Sequence, residues 1–110
     1  MDRGQLEQAV REALAERHDR RARHIFYKPE LAPVIDDEFV VKVADLAGGG
    51  AQLEAAVREA LSTRDKTRQR RLFHWGAYAE ADKAFVDAVL AAADASRDTV
   101  PAPRRRAGKG

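Results

Sequence analysis

The sequence predicts an all-α protein: two tandem αα-hairpin repeats packed as a pseudo-two-fold four-helix bundle, with a dimer that exchanges hairpins as the alternative assembly. Three observations predict it. An internal repeat spans nearly the whole body of the chain, apolar residues recur at helical spacing inside each copy, and glycine or proline falls between the periodic segments.

The repeat is direct. Gln5-Leu6-Glu7-Gln8-Ala9-Val10-Arg11-Glu12-Ala13-Leu14 returns 47 residues later as Gln52-Leu53-Glu54-Ala55-Ala56-Val57-Arg58-Glu59-Ala60-Leu61, with Gln8/Ala55 the one difference. The same offset matches Arg17 with Arg64, Arg21 with Arg68, Arg23 with Arg70 and Phe26 with Phe73. After one deletion, an offset of 46 matches Asp36 with Asp82, Phe39 with Phe85, Val40 with Val86 and Val43 with Val89.

Each copy reads as two helices. In the first, Leu6, Ala9, Val10, Ala13 and Leu14 form one apolar stripe of 3.6-residue period, Asp2 is the expected N-cap, and Glu7 sits four residues before Arg11 on the outer face. Ile25 continues the stripe, so the helix is expected over 3–26, and Pro29 opens the next as a first-turn residue. Phe39-Val40-Val41-Lys42-Val43 is rich in β-branched residues and has the composition of a strand. Its duplicate, Asp82 to Ala92, is a strong helix former, so both stretches are expected to be helical, at 30–47 and 79–96. Gly48-Gly49-Gly50 links the copies, the third helix is expected over 51–73, and Gly76 is expected to break it from the fourth. Residues 1–97 then form one duplicated domain (repeat one 3–47, repeat two 51–96), followed by a disordered basic tail over 98–110.

Composition narrows the function. Cysteine is absent, which excludes disulfides, thiolate zinc sites and cysteine nucleophiles. No stretch approaches the ~20 apolar residues of a membrane helix and the first residues are polar, so a cytoplasmic protein with no membrane partner is expected. The net charge of +2 divides unevenly. Asp98 to Gly110 carries four positives and one negative, or +3, which leaves the body at −1. Basicity is a property of the tail, through Arg104, Arg105, Arg106 and Lys109.

Two arginine clusters stand at matched places, Arg17, Arg20, Arg21 and Arg23, and Arg64, Arg68, Arg70 and Arg71, each followed by aromatic residues. Basic patches interleaved with aromatics hold phosphates and stack bases, so these arginines, Trp75 and the tail arginines are the candidate binding residues. Nucleic acid or another acidic partner is the expected ligand. The competing reading is that the clusters neutralise the acids opening the partner helices: from Arg17 to Glu38 five positives meet five negatives. A protein-interaction or regulatory module, with a homodimer as one form, then takes precedence. Phe39 and Phe85 read as core, and Trp75 at a hairpin corner reads either as an end cap of the bundle or as an anchor for a partner.

No metal, cofactor or catalytic constellation is visible. One enzymatic pattern remains: Arg68 and His74, and Arg17 and His24, have five and six residues between them, which resembles the Arg-x(4–6)-His motif of HEPN-type ribonucleases. That resemblance implies a helical, often dimeric fold in which the Arg and His act on RNA. The matched position of His74 is Tyr27, so the two copies do not share such a role.

Overall fold

The structure, a computed structural model, describes residues 2–24 and 27–99, with side chains through Arg97. All regular structure among them is helical: α1 (Arg3–His24), a 3-10 turn (Pro29–Leu31), α2 (Ala32–Leu46), α3 (Ala51–Arg70) and α4 (Trp75–Thr99). Ile25, Phe26 and the tail arginines lie outside the described residues, so the expected extension of the first helix to residue 26 does too.

The ends follow local chemistry. Asp2 Oδ1 accepts the Gln5 N–H at 2.8 Å and Gln5 Oε1 accepts the Asp2 N–H at 3.0 Å, so two orphan donors of α1 are satisfied reciprocally. Pro29 stands at the start of the 3-10 turn, where its missing N–H costs nothing. Gly48, Gly49 and Gly50 all take positive φ (128°, 82° and 106°), and the Gly49 N–H closes α2 on the Ala44 carbonyl at 2.8 Å. A side chain on that path would be strained, which explains three consecutive glycines.

Phe39–Val43 is helical, inside α2. Val41 faces solvent, and the other apolar side chains of α2 fill one face: Ile35, Phe39 and Val43 recur at i, i+4 and i+8, with Val40 and Ala44 beside them, all buried. Burial outweighs the modest helix penalty of valine. The junction of α3 and α4 departs from expectation. The third helix stops at Arg70 rather than 73, the fourth starts at Trp75 rather than 79, and Gly76 lies inside its first turn. The break is made by Phe73, which takes a left-handed φ of 66°, and by His74, whose Nδ1 accepts the Ala77 N–H at 3.1 Å and caps α4. The fourth helix also continues to Thr99, past the expected stop at 96 and into the segment read as tail.

Seventeen buried residues from the four helices and the α2–α3 link form one core. Leu6, Val10 and Leu14 of α1 and Leu53, Val57 and Leu61 of α3 face Phe39, Val40, Val43, Phe85, Val86 and Val89. Phe39 and Phe85, matched by the offset of 46, meet with ring centroids 5.7 Å apart. Neighbouring helices run antiparallel. Arg3 Nη1 reaches Asp94 Oδ2 at 2.9 Å, joining the start of α1 to the late part of α4, while Arg17 and Arg64 reach the early parts of α2 and α4. The α1–α2 and α3–α4 corners therefore lie at one end of the bundle.

Replacing Phe85 with Ala removes a side chain only 2% exposed at the centre of this core and should cost about 3–5 kcal/mol. Urea denaturation of Phe85→Ala beside the parent measures it, and a midpoint close to the parent's would contradict this packing.

Candidate functional site

Most of the candidate arginines are engaged within the chain. Arg17, 6% exposed, donates from Nε to Asp36 Oδ1 and from Nη2 to Asp65 Oδ2, both at 2.8 Å. Arg64, 7% exposed, donates from Nε to Asp82 Oδ1 at 2.6 Å and from Nη1 to Asp65 Oδ1 at 2.9 Å. Arg21 Nη1 donates to Asp36 at 3.0 Å, and Arg68 Nη1 lies 3.6 Å from Asp82. Arg20 pairs with Glu38 at 2.7 Å, and Arg58 with Asp37 at 2.8 Å. The helix dipole favours Arg21 and Arg68, which stand in the last turns of α1 and α3, while Arg17 and Arg64 lie further in and are held by carboxylates.

Arg17, Arg20, Arg21, Arg64 and Arg68 are thus interlocked with acids. Arg23, Arg70 and Arg71 enter no ion pair among the described residues, and neither does Lys28. All four stand at the two corners.

The α3–α4 corner is built to hold its side chains outward. Leu72, Phe73 and Trp75 are 65%, 81% and 72% exposed. A bulky residue at positive φ is costly, by about 1–3 kcal/mol, and persists only where its surroundings over-determine it. Here Tyr78 does so. Its hydroxyl accepts the Phe73 N–H at 2.7 Å, the Arg68 guanidinium covers its ring at 4.3 Å, and Trp75 packs edge-on to it with centroids 5.3 Å apart. At the other corner Tyr27 is also exposed, and Arg21, His24, Lys28, Pro29, Ala32 and Ile35 line a cavity of ≈ 210 Å³. Trp75 touches Tyr78 with its edge and leaves most of its surface in solvent, so it does not seal the bundle end.

Sequence reasoning singled out Trp75 and noted Phe73 among the aromatics after the second arginine cluster, but did not count Phe73 as a binding residue and missed Leu72; both sat inside an expected helix. The available signal was three large apolar residues within four positions after Arg70-Arg71, of which Phe73 is out of step with the stripe of α3. Asp65 was missed as well. Its signal is the repeat itself, since the matched position is His18.

Three members of the two Arg/His pairs have partners elsewhere in the chain. Arg17 is bound to two carboxylates, Arg68 to Asp82 and the Tyr78 ring, and His74 Nδ1 is occupied as a helix cap. No group of His, Cys, Asp or Glu among the described residues could hold a metal ion, and no described helix is long and apolar enough to cross a membrane. Comparison with family models, with curated proteins and with solved structures gives no match.

The ion pairs differ in burial, and their removal should differ accordingly. Asp36→Ala takes from the buried Arg17 one of its two carboxylates and from the half-buried Arg21 its partner, and should cost about 2–3 kcal/mol, whereas Asp37→Ala breaks the exposed pair with Arg58 and should cost under about 1 kcal/mol. Equal midpoints for the two variants in urea denaturation would overturn the assignment of Asp36 to the buried network.

Proposed function

We propose that this chain is a non-enzymatic protein-interaction module that docks an acidic partner through the end of the bundle carrying its two corners. The chain is read as two hairpins related by a pseudo-two-fold axis, a duplication that sets both corners side by side. The observation that carries the reading is the braced α3–α4 corner: Leu72, Phe73 and Trp75 exposed together on a strained turn, flanked by Arg70 and Arg71, which meet no carboxylate among the described residues. Large exposed apolar residues beside arginine are the composition of interface hot spots, where a few anchors supply most of the binding energy. Cations that meet no carboxylate among the described residues stand at both corners (Arg23, Lys28, Arg70 and Arg71); they select an acidic surface and speed its encounter.

Nucleic acid is the second reading, favoured by the same four cations and by the tail arginines Arg104, Arg105 and Arg106. It is weakened by the interlocking of Arg17, Arg20, Arg21, Arg64 and Arg68, which removes most of the positive field that the clusters carry in the sequence.

Phe73→Gly separates docking from folding, because glycine takes positive φ without penalty. The variant should melt at or slightly above the parent temperature. Its affinity for a partner enriched with the full chain from its own cells, and then purified, should fall about tenfold or more, with Trp75→Ala giving a similar loss. Full binding by both variants would refute the docking role of the corner. Tight binding of a labelled oligonucleotide at about 150 mM salt, lost on changing Arg23, Arg70 and Arg71 to Ala, would transfer the reading to nucleic acid.

A further inference from the structure

The two long sides of the bundle are not joined alike. Two ion pairs cross between the hairpins on one side: Arg17 of α1 with Asp65 of α3, and Arg58 of α3 with Asp37 of α2, each at 2.8 Å. The repeat register gives the matched pairs of positions, the first between α3 and α1 and the second between α1 and α4. Arg64 stands for Arg17 and Arg11 for Arg58, but His18 stands where Asp65 would be and Lys83 where Asp37 would be. Both carboxylates are missing from the matched pairs, and the ion pair that does join α1 to α4, Arg3 with Asp94, lies between the start of α1 and the late part of α4. Arg11 reaches only Glu7, on its own helix and at 3.4 Å, and Lys83 turns to Asp87.

A cavity of ≈ 290 Å³ opens at this place, with Arg11 and His18 on the α1 wall and Arg64 and Arg68 on the α3 wall. Two acids also line it. Asp82 is taken up by Arg64 and Arg68, and Asp19 is exposed and pairs with no cation within 4 Å among the described residues. Charge in the network behind it is uneven. Arg17, Arg21, Arg64 and Arg68 share three carboxylates, Asp36, Asp65 and Asp82, and the fourth, expected from the register, is His18.

We infer that this cavity binds a carboxylate ligand, which takes the place that aspartate fills on the other side of the bundle. Arginine suits this role, since its fork of N–H donors matches the two oxygens of a carboxylate and a guanidinium already held by neighbouring acids is pre-oriented. Leu14 and Ala15 supply an apolar wall for the carbon chain of the acid. Asp19 at the rim disfavours densely charged polyanions, so an acid of one or two carboxylates fits better than a phosphate cluster. The register and the cavity carry the site, which is independent of docking at the corners.

The test uses thermal melts of the full chain with sodium succinate or a tetraglutamate peptide, each against sodium chloride at equal ionic strength. Saturating ligand should raise the melting temperature by about 5 °C beyond the salt control. Arg11→Ala, an exposed change, should keep the parent's melting temperature in salt to within about 2 °C, since an exposed pair contributes little, and lose the response. The His18→Asp/Lys83→Asp protein should melt higher than the parent without ligand, because it supplies the carboxylates itself, and respond at least tenfold more weakly. A response to succinate assigns a free acid, and a response to tetraglutamate alone assigns the acidic side chains of a partner protein. No effect of either beyond matched salt, or a double variant that responds like the parent, would overturn the site.

Discussion

Asp65 is the residue around which the arrangement is organised, because two nearly buried guanidinium groups end on it. Moving an arginine out of water costs several kcal/mol unless carboxylates in good geometry replace its hydration. Arg17 and Arg64 each obtain two: one from the partner helix of their own hairpin, Asp36 or Asp82, and one from Asp65. Because Arg17 belongs to α1 and Asp65 to α3, the demand reaches across the hairpins. A slide of one hairpin against the other by a helical turn, ~5 Å, would leave a charge buried without its partner. An apolar core rich in Ala and Val specifies register weakly by shape alone, and the charged layer supplies what that core lacks. One turn away Phe39 and Phe85 close the apolar part, with the Arg17 guanidinium 5.8 Å from the Phe39 ring centroid, so the polar and apolar layers are in contact.

The helices were legible because the evidence for them is local and doubled. Phe39–Val43 by itself has the composition of a strand, and only the matched Phe85–Val89 stretch, surrounded by alanine, decides for helix. Pairing between arginine clusters and the acids of the next helix was legible as a charge balance. Its partners were not. That Arg17 takes Asp36 and Asp65 depends on packing between segments 19 and 48 residues apart in the chain, and charge counting has no access to packing. The α3–α4 corner was misjudged for a similar reason: Gly76 is the obvious breaker by propensity, yet the chain turns at Phe73 because Tyr78, five residues on, meets its N–H. Side chain to backbone bonds of this kind override propensities worth less than about 1 kcal/mol.

The two copies also show which features tolerate divergence. Both keep the arginine–aspartate pairs and the Val and Phe positions of the core. Between α1 and α2 the outer face is bridged by Lys42 with Glu16 and Arg20 with Glu38. At the matched positions of α3 and α4 stand Thr63, Thr67, Ala84 and Ala88, and a groove of ≈ 340 Å³ lies open there. Exposed ion pairs contribute little to stability, so their loss on one hairpin leaves the fold in place. The same holds for the exchange of aspartate for histidine and lysine at positions 18 and 83, which lies outside the shared core.

Stability and function therefore draw on different parts of the repeat. Positions that both copies need to fold carry the same residue type twice, while Trp75, the His18 side of the bundle and the α3–α4 face each occur once, and Phe73, matched in sequence by Phe26, is placed where folding does not call for it. Phe73 is the sharpest case, because its backbone is strained and its side chain is 81% exposed, so neither local geometry nor burial accounts for a phenylalanine there. Glycine would relieve the strain at no cost in packing. A large apolar side chain at a position where folding does not require it, on a turn braced by Tyr78, is what the proposed docking at this corner calls for.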